Sequence, residues 1–244
     1  MKGKVYIGTS GWSYEHWRGL FYLEKLPSHK RLAYYCEHFK TVEINVTFYR
    51  QPQNATFDSW RLNTPEGFLF SVKASRFITH IKRLRGVAEP LGKFLGGALR
   101  LKEKLGVILV QLPPGLKKDL SLLDDFLSLL PGGVRSTVEF RNRDWMADDT
   151  YEVLANHNAA FCIYDMPGLQ TPVMATADFA YVRFHGGSEL YASCYSDEEL
   201  VGWAKKLSGL AANLKTVYIY FNNDAGGYAV SNALTLRGYL EEGR

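Results

Sequence analysis

Residues 138–145 read VEFRNRDW. Glu139 places a carboxylate among β-formers, Arg141 and Arg143 add guanidiniums, and Trp145 closes the run. A core strand has no use for a glutamate, because a buried charge is costly unless it is paired. A solvated loop has no use for an indole. The stretch therefore reads as part of a site, and other short runs carry the same mixture. Glu43 and Asn45 alternate in TVEINVTFY, Lys73 follows FLFSV, and Arg183 and His185 alternate in YVRFHG. Thr9, Ser10, Gly11 and Trp12 follow KVYIG, Gln111 and Asp165 end two apolar runs, and Asn222, Asn223 and Asp224 follow YIYF.

These residue types suit a phosphate-bearing ligand, either a small molecule or single-stranded nucleic acid. Lys73, Arg141 and Arg183 would meet its charge, and the backbone amides of Thr9, Ser10 and Gly11 would cradle it. Glu43 or Glu139 would serve as general base and His185 as general acid. The expected catalytic set is thus Glu43, Lys73, Glu139 and His185. Asn45, Asp165, Asn222, Asn223, Trp12 and Tyr191 complete the ligand contacts. Trp12, Trp17, Tyr49, Trp145 and Tyr191 offer stacking surfaces. Hydrolase and lyase chemistry both remain open on this pattern.

Three other readings compete. Glu139, Asp165 and His185 would hold one divalent ion in a metal-dependent hydrolase or isomerase. Arg141 and Arg183 oppose that by repelling a cation, so the expectation is no tightly bound metal and no cofactor. Glu43 and Glu139 would be the paired carboxylates of a glycosidase, but Lys73 competes for both. Finally, RFITHIKRLR at 76–85 holds five Arg, Lys or His in ten residues. That segment would serve a non-catalytic module that binds nucleic acid.

The elements that must position these groups are legible as short apolar runs. Strands are expected at 4–10, 41–49, 68–75, 106–114, 136–141, 159–165, 179–186 and 216–223. The fourth, GVILVQLPP, is nearly all apolar before Gln111, as befits a strand covered on both faces. Helical spacing predicts helices at 30–39, 54–62, 91–105, 120–130, 149–157, 197–213 and 227–241. Asp148 or Asp149 is the expected cap of the fifth helix, and Ser196 with Glu199 reads as a capping box for the sixth. Strands alternating with helices imply parallel pairing, and eight such units in this length imply an α/β fold, a single (β/α)8 TIM-type barrel. The crossover at 166–178 holds two prolines and little helical signal, so its helix is expected to be short or missing. An open doubly wound sheet fits less well, because no GxGxxG or phosphate loop follows a strand. In a barrel the named polar residues would ring the C-terminal mouth.

Bulk properties narrow the class. The 244 residues are 46% hydrophobic and 22% charged, ordinary for one globular domain spanning 1–244. The net charge of +4 conceals an asymmetry: residues 1–122 hold 20 Lys and Arg against 9 Asp and Glu, and residues 123–244 hold 9 against 16. The basic half would steer an anionic partner. Cys36, Cys162 and Cys194 are three cysteines without CxxC spacing and read as reduced thiols, with Cys36 and Cys162 as packing residues. With no leader-like segment and no long apolar run, the expectation is a cytoplasmic protein without membrane contact. The sequons at Asn45 and Asn54 are then irrelevant.

Eight motifs carry a resemblance: IGTSGWSYEHWRGLFY, VEINVTFYR, FSVKAS, VQLPP, VEFRNRDW, YVRFHG, YASCYSDEEL and YFNND with GYAVSNAL. Their order is similar to that of the YecE-like family of domains of unknown function, from residue 7 to about 234. The resemblance implies a single-domain βα barrel and a short crossover after Asp165. It implies no reaction. Likeness of that barrel to endonuclease-type and xylose-isomerase-type enzymes is analogy at the level of fold.

Overall fold

A computed structural model of the chain describes residues 3–242. It begins with β1 (Lys4–Thr9), α1 (Arg31–His38), β2 (Thr41–Ile44), α2 (Val46–Tyr49), α3 (Asn54–Leu62) and β3 (Leu69–Lys73). There follow α4 (Ala88–Ala98), β4 (Leu105–Gln111), α5 (Leu120–Ser128), β5 (Ser136–Glu139), α6 (Asp148–Asn156) and β6 (Ala160–Met166). The chain closes with β7 (Leu169–Gln170), β8 (Phe179–Phe184), α7 (Asp197–Ala211), β9 (Thr216–Phe221) and α8 (Tyr228–Glu242). The long strands pair in the order β1-β9-β8-β6-β5-β4-β3-β2, and a parallel bridge between Ser10 and Glu43 joins the two ends of that order. This is the expected (β/α)8 TIM-type barrel, nearly closed, with helices alternating between its strands.

The chain divides into two compact units. One holds residues up to Glu43, Ile163–Ala175 and Phe179 onward; the other holds Ile44–Cys162 and Thr176–Asp178.

In the first unit, alternation along β8 assigns its faces. Phe184 packs edge-on against Trp203 of α7, ring centroids 4.9 Å apart, so Val182 and Phe184 face the helix side. Tyr181 and Arg183 take the other face, because successive strand side chains point opposite ways. Tyr181 lies against Tyr220 of β9 at 5.1 Å, and the Tyr220 hydroxyl meets Thr41 Oγ1 at 2.6 Å. Bulky tyrosines thus fill the strand faces, and each hydroxyl seeks a partner. The capping box at Ser196 and Glu199 is formed as expected. The 166–178 crossover has no helix; β7 instead folds back antiparallel on β6.

The second unit is built on the β3-β4-β5 ladder. Val107, Ile108, Leu109 and Val110 are all fully buried. Gln111 pairs with Glu139 in register, so the two side chains stand at neighbouring strand ends. Two expectations fail here for local reasons. The strand expected over 41–49 stops at Ile44. Asn45 takes a helical backbone (φ −100°, ψ −18°) and 46–49 form a helical turn; the Thr47 hydroxyl donates to the carbonyls of Ile44 and Lys73 and holds that turn. The cap of α6 is Ala147, with no side-chain hydrogen bond. Asp148 and Asp149 lie in the first turn, where their charge opposes the positive helix end.

Candidate functional site

The first unit carries a buried polar cluster. Glu43 is fully buried on β2 and receives three donors. Ser10 Oγ donates to its Oε1 at 2.7 Å, Arg183 Nη2 to the same oxygen at 2.8 Å, and the Tyr181 hydroxyl to Oε2 at 2.7 Å. Burial, and next the Glu43 carboxylate, push the Tyr181 phenol well above its ordinary range, so it stays a donor. Arg183 is 1% exposed. Two charges this deep are costly, and good geometry with further hydrogen bonds offsets the desolvation.

Arg183 also reaches His185, Nη1 to Nε2 at 3.5 Å. Asn222 touches the other ring nitrogen, Nδ1, at 3.1 Å. The Asn222 atom that meets Nδ1 is its amide nitrogen, Nδ2. Both ring nitrogens of His185 thus face polar side chains inside the unit. Tyr164 and Tyr191 set their ring edges against the imidazole at 6.0 and 5.5 Å. The Tyr191 amide donates to the His185 carbonyl at 2.6 Å. The turn between them depends on Gly186 at φ +102°, where a Cβ would lie 2.2 Å from the Glu189 carbonyl oxygen. Asp165 accepts from Gln170 at 3.1 Å, and burial raises its carboxyl above the usual range. It lines a cavity of about 530 Å³ with Trp203 and Lys206.

Several expected contacts are corrected here. The amides of Thr9, Ser10 and Gly11 are not an anion cradle. They donate to Tyr35 Oη at 2.9 Å, to the Phe221 carbonyl at 2.8 Å and to the Glu43 carbonyl at 2.8 Å, stitching neighbouring strands and α1 together. The Thr9 hydroxyl is likewise turned to Tyr35 and the Gly11 carbonyl. Asn223 is a scaffold residue, donating to the Ser193 carbonyl and to Asn232 at 2.9 Å each. Trp17 is fully buried and donates to the Asp224 carbonyl at 3.1 Å, so it offers no stacking face. Trp12 is half-buried, and its carbonyl accepts from Tyr22.

The second unit places Glu139 at the end of β5, fully buried, with Arg141 Nε donating to it. The Cys162 thiol lies 3.9 Å from its other oxygen. Lys73 stands over the Phe48 ring at 4.4 Å, and Phe48 meets the His80 ring edge-on at 5.0 Å. Burial, then the charges of Lys73 and Arg76, lower the His80 imidazole below its ordinary value, with Glu139 opposing. Asn45, displaced from the strand, does not share a strand face with Glu43. Trp145 is fully buried, stacked on Phe140 at 4.9 Å and donating to the Leu116 carbonyl. It is a core residue and not a ligand platform. Among the described residues no group of three or more His, Cys, Asp or Glu side chains is placed to hold a metal ion, the trio Glu139, Asp165 and His185 included. No described helix is long and apolar enough to cross a membrane.

Tyr181 escaped the sequence reading although its signal was present. It precedes Arg183 and His185 at the same two-residue spacing, so it had to share their face.

Comparison with known proteins agrees with this architecture. Residues 6–244 match the model of the family described as protein of unknown function DUF72. The UPF0759 protein YunF of Bacillus subtilis is 29% identical over 97% of this chain and 95% of its own. The crystal structure of a DUF72 family protein from Thermotoga maritima superposes with a TM-score of 0.87 at 33% identity, covering 98% of this chain and 99% of that one. A DUF72 family protein from Enterococcus faecalis, at 21% identity, gives 0.86 over 97% and 95% and speaks for the fold alone.

Proposed function

The chain belongs to the DUF72 family, whose description names no activity, and we propose from the strand-end geometry that it binds a phosphate-bearing ligand at Arg183 and His185. One observation carries this reading: the Arg183 guanidinium is fixed by Glu43 at 2.8 Å and set beside the His185 imidazole at 3.5 Å. A fixed guanidinium suits phosphate recognition, and an adjacent imidazole suits proton transfer to a phosphate ester oxygen. The guanidinium, and not a metal ion, would meet the ligand's charge. Glu43 then acts as the residue that orients Arg183, since its oxygens already take three donors. His185 is fully buried and Tyr191 is 39% exposed. Ligand entry therefore requires displacement of the Tyr191 loop, with Gly186 as its pivot.

Titration calorimetry with inorganic phosphate, a sugar phosphate and a nucleoside monophosphate tests this. Arg183→Lys keeps the charge and loses the planar fork, so binding of whichever probe is captured should weaken by about 1.5–3 kcal/mol. Unchanged binding would end the reading. The three donors on Glu43 also favour a second reading, a purely structural network. In that case Arg183→Lys lowers the melting temperature and no probe binds the parent protein.

A further inference from the structure

The segment RFITHIKRLR leaves β3 and makes one wide helical turn, Phe77–Ile81, closed by the Lys82 amide on the Phe77 carbonyl at 2.9 Å. Ile78 and Thr79 are fully buried and anchor it. Phe77 and Ile81 remain 43% and 61% exposed. The backbone then takes positive φ at Arg83 and Leu84, +47° and +66°. Leu84 is buried at 3%, so this left-handed turn tucks one apolar side chain in and leaves Lys82, Arg83 and Arg85 exposed. The Phe48–His80 contact ties α2 to this turn, and on α2 the next residue, Tyr49, is 80% exposed. Arg85 is paired with Asp119 at 2.8 Å. Arg76, Lys82 and Arg83 have no ion-pair partner among the described residues, and Lys82 stands over the Phe77 ring at 5.8 Å.

We propose that this face of the second unit binds single-stranded nucleic acid, with bases stacked on Tyr49 and Phe77 and phosphates held by Arg76, Lys82 and Arg83. Exposed rings interleaved with unpaired cations are what an unpaired strand requires, because every base has a face to stack and every link a charge to meet. A duplex hides its base faces and would leave the rings unused. A lipid surface calls for a longer apolar stripe than a single turn provides. None of these residues belongs to the Arg183 cluster, so the two proposals stand or fall separately.

The test is fluorescence anisotropy on the full chain with labelled dT20 and rU20, a matching duplex, and phosphatidylserine vesicles as competitor. Single strands are expected to bind, with log affinity falling linearly against log salt. Lys82→Glu with Arg83→Glu should weaken binding by tenfold or more. The neutral pair Lys82→Gln and Arg83→Gln should reduce the salt slope by about 1.4, at about 0.7 for each phosphate that is no longer neutralised. Tyr49→Ala should weaken binding about 5- to 150-fold and leave the slope unchanged. No binding at 50 mM salt, indifference to the charge changes, or preference for duplex or vesicles would each overturn the proposal.

Discussion

Glu43 and Glu139 are both fully buried at the carboxyl ends of parallel strands, yet the two units hold them differently. Glu43 takes its donors from Ser10, Tyr181 and Arg183, which lie 33, 138 and 140 residues away. Glu139 takes Arg141 from its own chain two residues on, with the Cys162 thiol nearby. The Arg183 side chain is 1% exposed, whereas that of Arg141 is 10% exposed. Glu43 is thus tied across the assembled sheet, while Glu139 has a charge partner two residues along its own strand end. A carboxylate that is locked positions something else.

The sharpest way to break this comparison is Arg183→Ala. It strands a buried carboxylate, so unfolding free energy should fall by about 3–5 kcal/mol. Thermal and urea unfolding will measure it. The double variant Glu43→Leu with Arg183→Met should recover most of that loss, because an apolar pair needs no counter-ion. A single-variant loss below about 1 kcal/mol would mean that Glu43 does not depend on Arg183.

Tyr181→Phe comes next. It removes one donor to a charged acceptor and should cost about 1.5–3 kcal/mol by the same measurement. In the second unit the corresponding change, Arg141→Ala, should cost less, about 1–2 kcal/mol, since the Arg141 side chain is 10% exposed and not 1%. If Arg141→Ala proves as damaging as Arg183→Ala, the contrast between the two glutamates disappears.

The smallest effect is a pH slope. Folding lowers the His80 imidazole from its ordinary value of 6.5. Between the lowered value and 6.5 the unfolded chain binds more protons, so stability rises with pH there and is lost on acidification. His80→Gln should flatten that slope in unfolding curves taken from pH 5 to 7. Lys73→Met should shift the His80 titration, followed by NMR, back toward 6.5; a titration that stays in place would remove Lys73 as a cause.

Much of the scaffold was legible because its signals are local. The buried run in β4, the helix at 54–62 and the Ser196–Glu199 box each lie within a few residues, and their spacing states their conformation. Positions of the polar strand ends followed as well, since Arg183 and His185 share a face by two-residue alternation. Asn45 was misplaced because β-rich composition continues past Ile44, while the helical turn there is held by a hydroxyl bond to Lys73, which lies on another strand.

Sequence by itself determined the order of strands and helices, the missing crossover helix, and the two-residue alternation that puts Arg183 and His185 on one face. Tertiary structure alone decided what those side chains do there. Trp17 and Trp145 look like ligand platforms in a string of letters, and packing turned both into core with their indole donors on backbone carbonyls. The Thr9–Gly11 amides look available, and neighbouring strands consumed them. Tyr181 was not among the expected site residues, and the closed sheet made it a donor to a buried charge. The physical reason is range: periodicity is fixed by the geometry of adjacent residues, whereas a hydrogen bond is chosen by whatever group the closed sheet brings within about 3 Å, however far away in the chain it began.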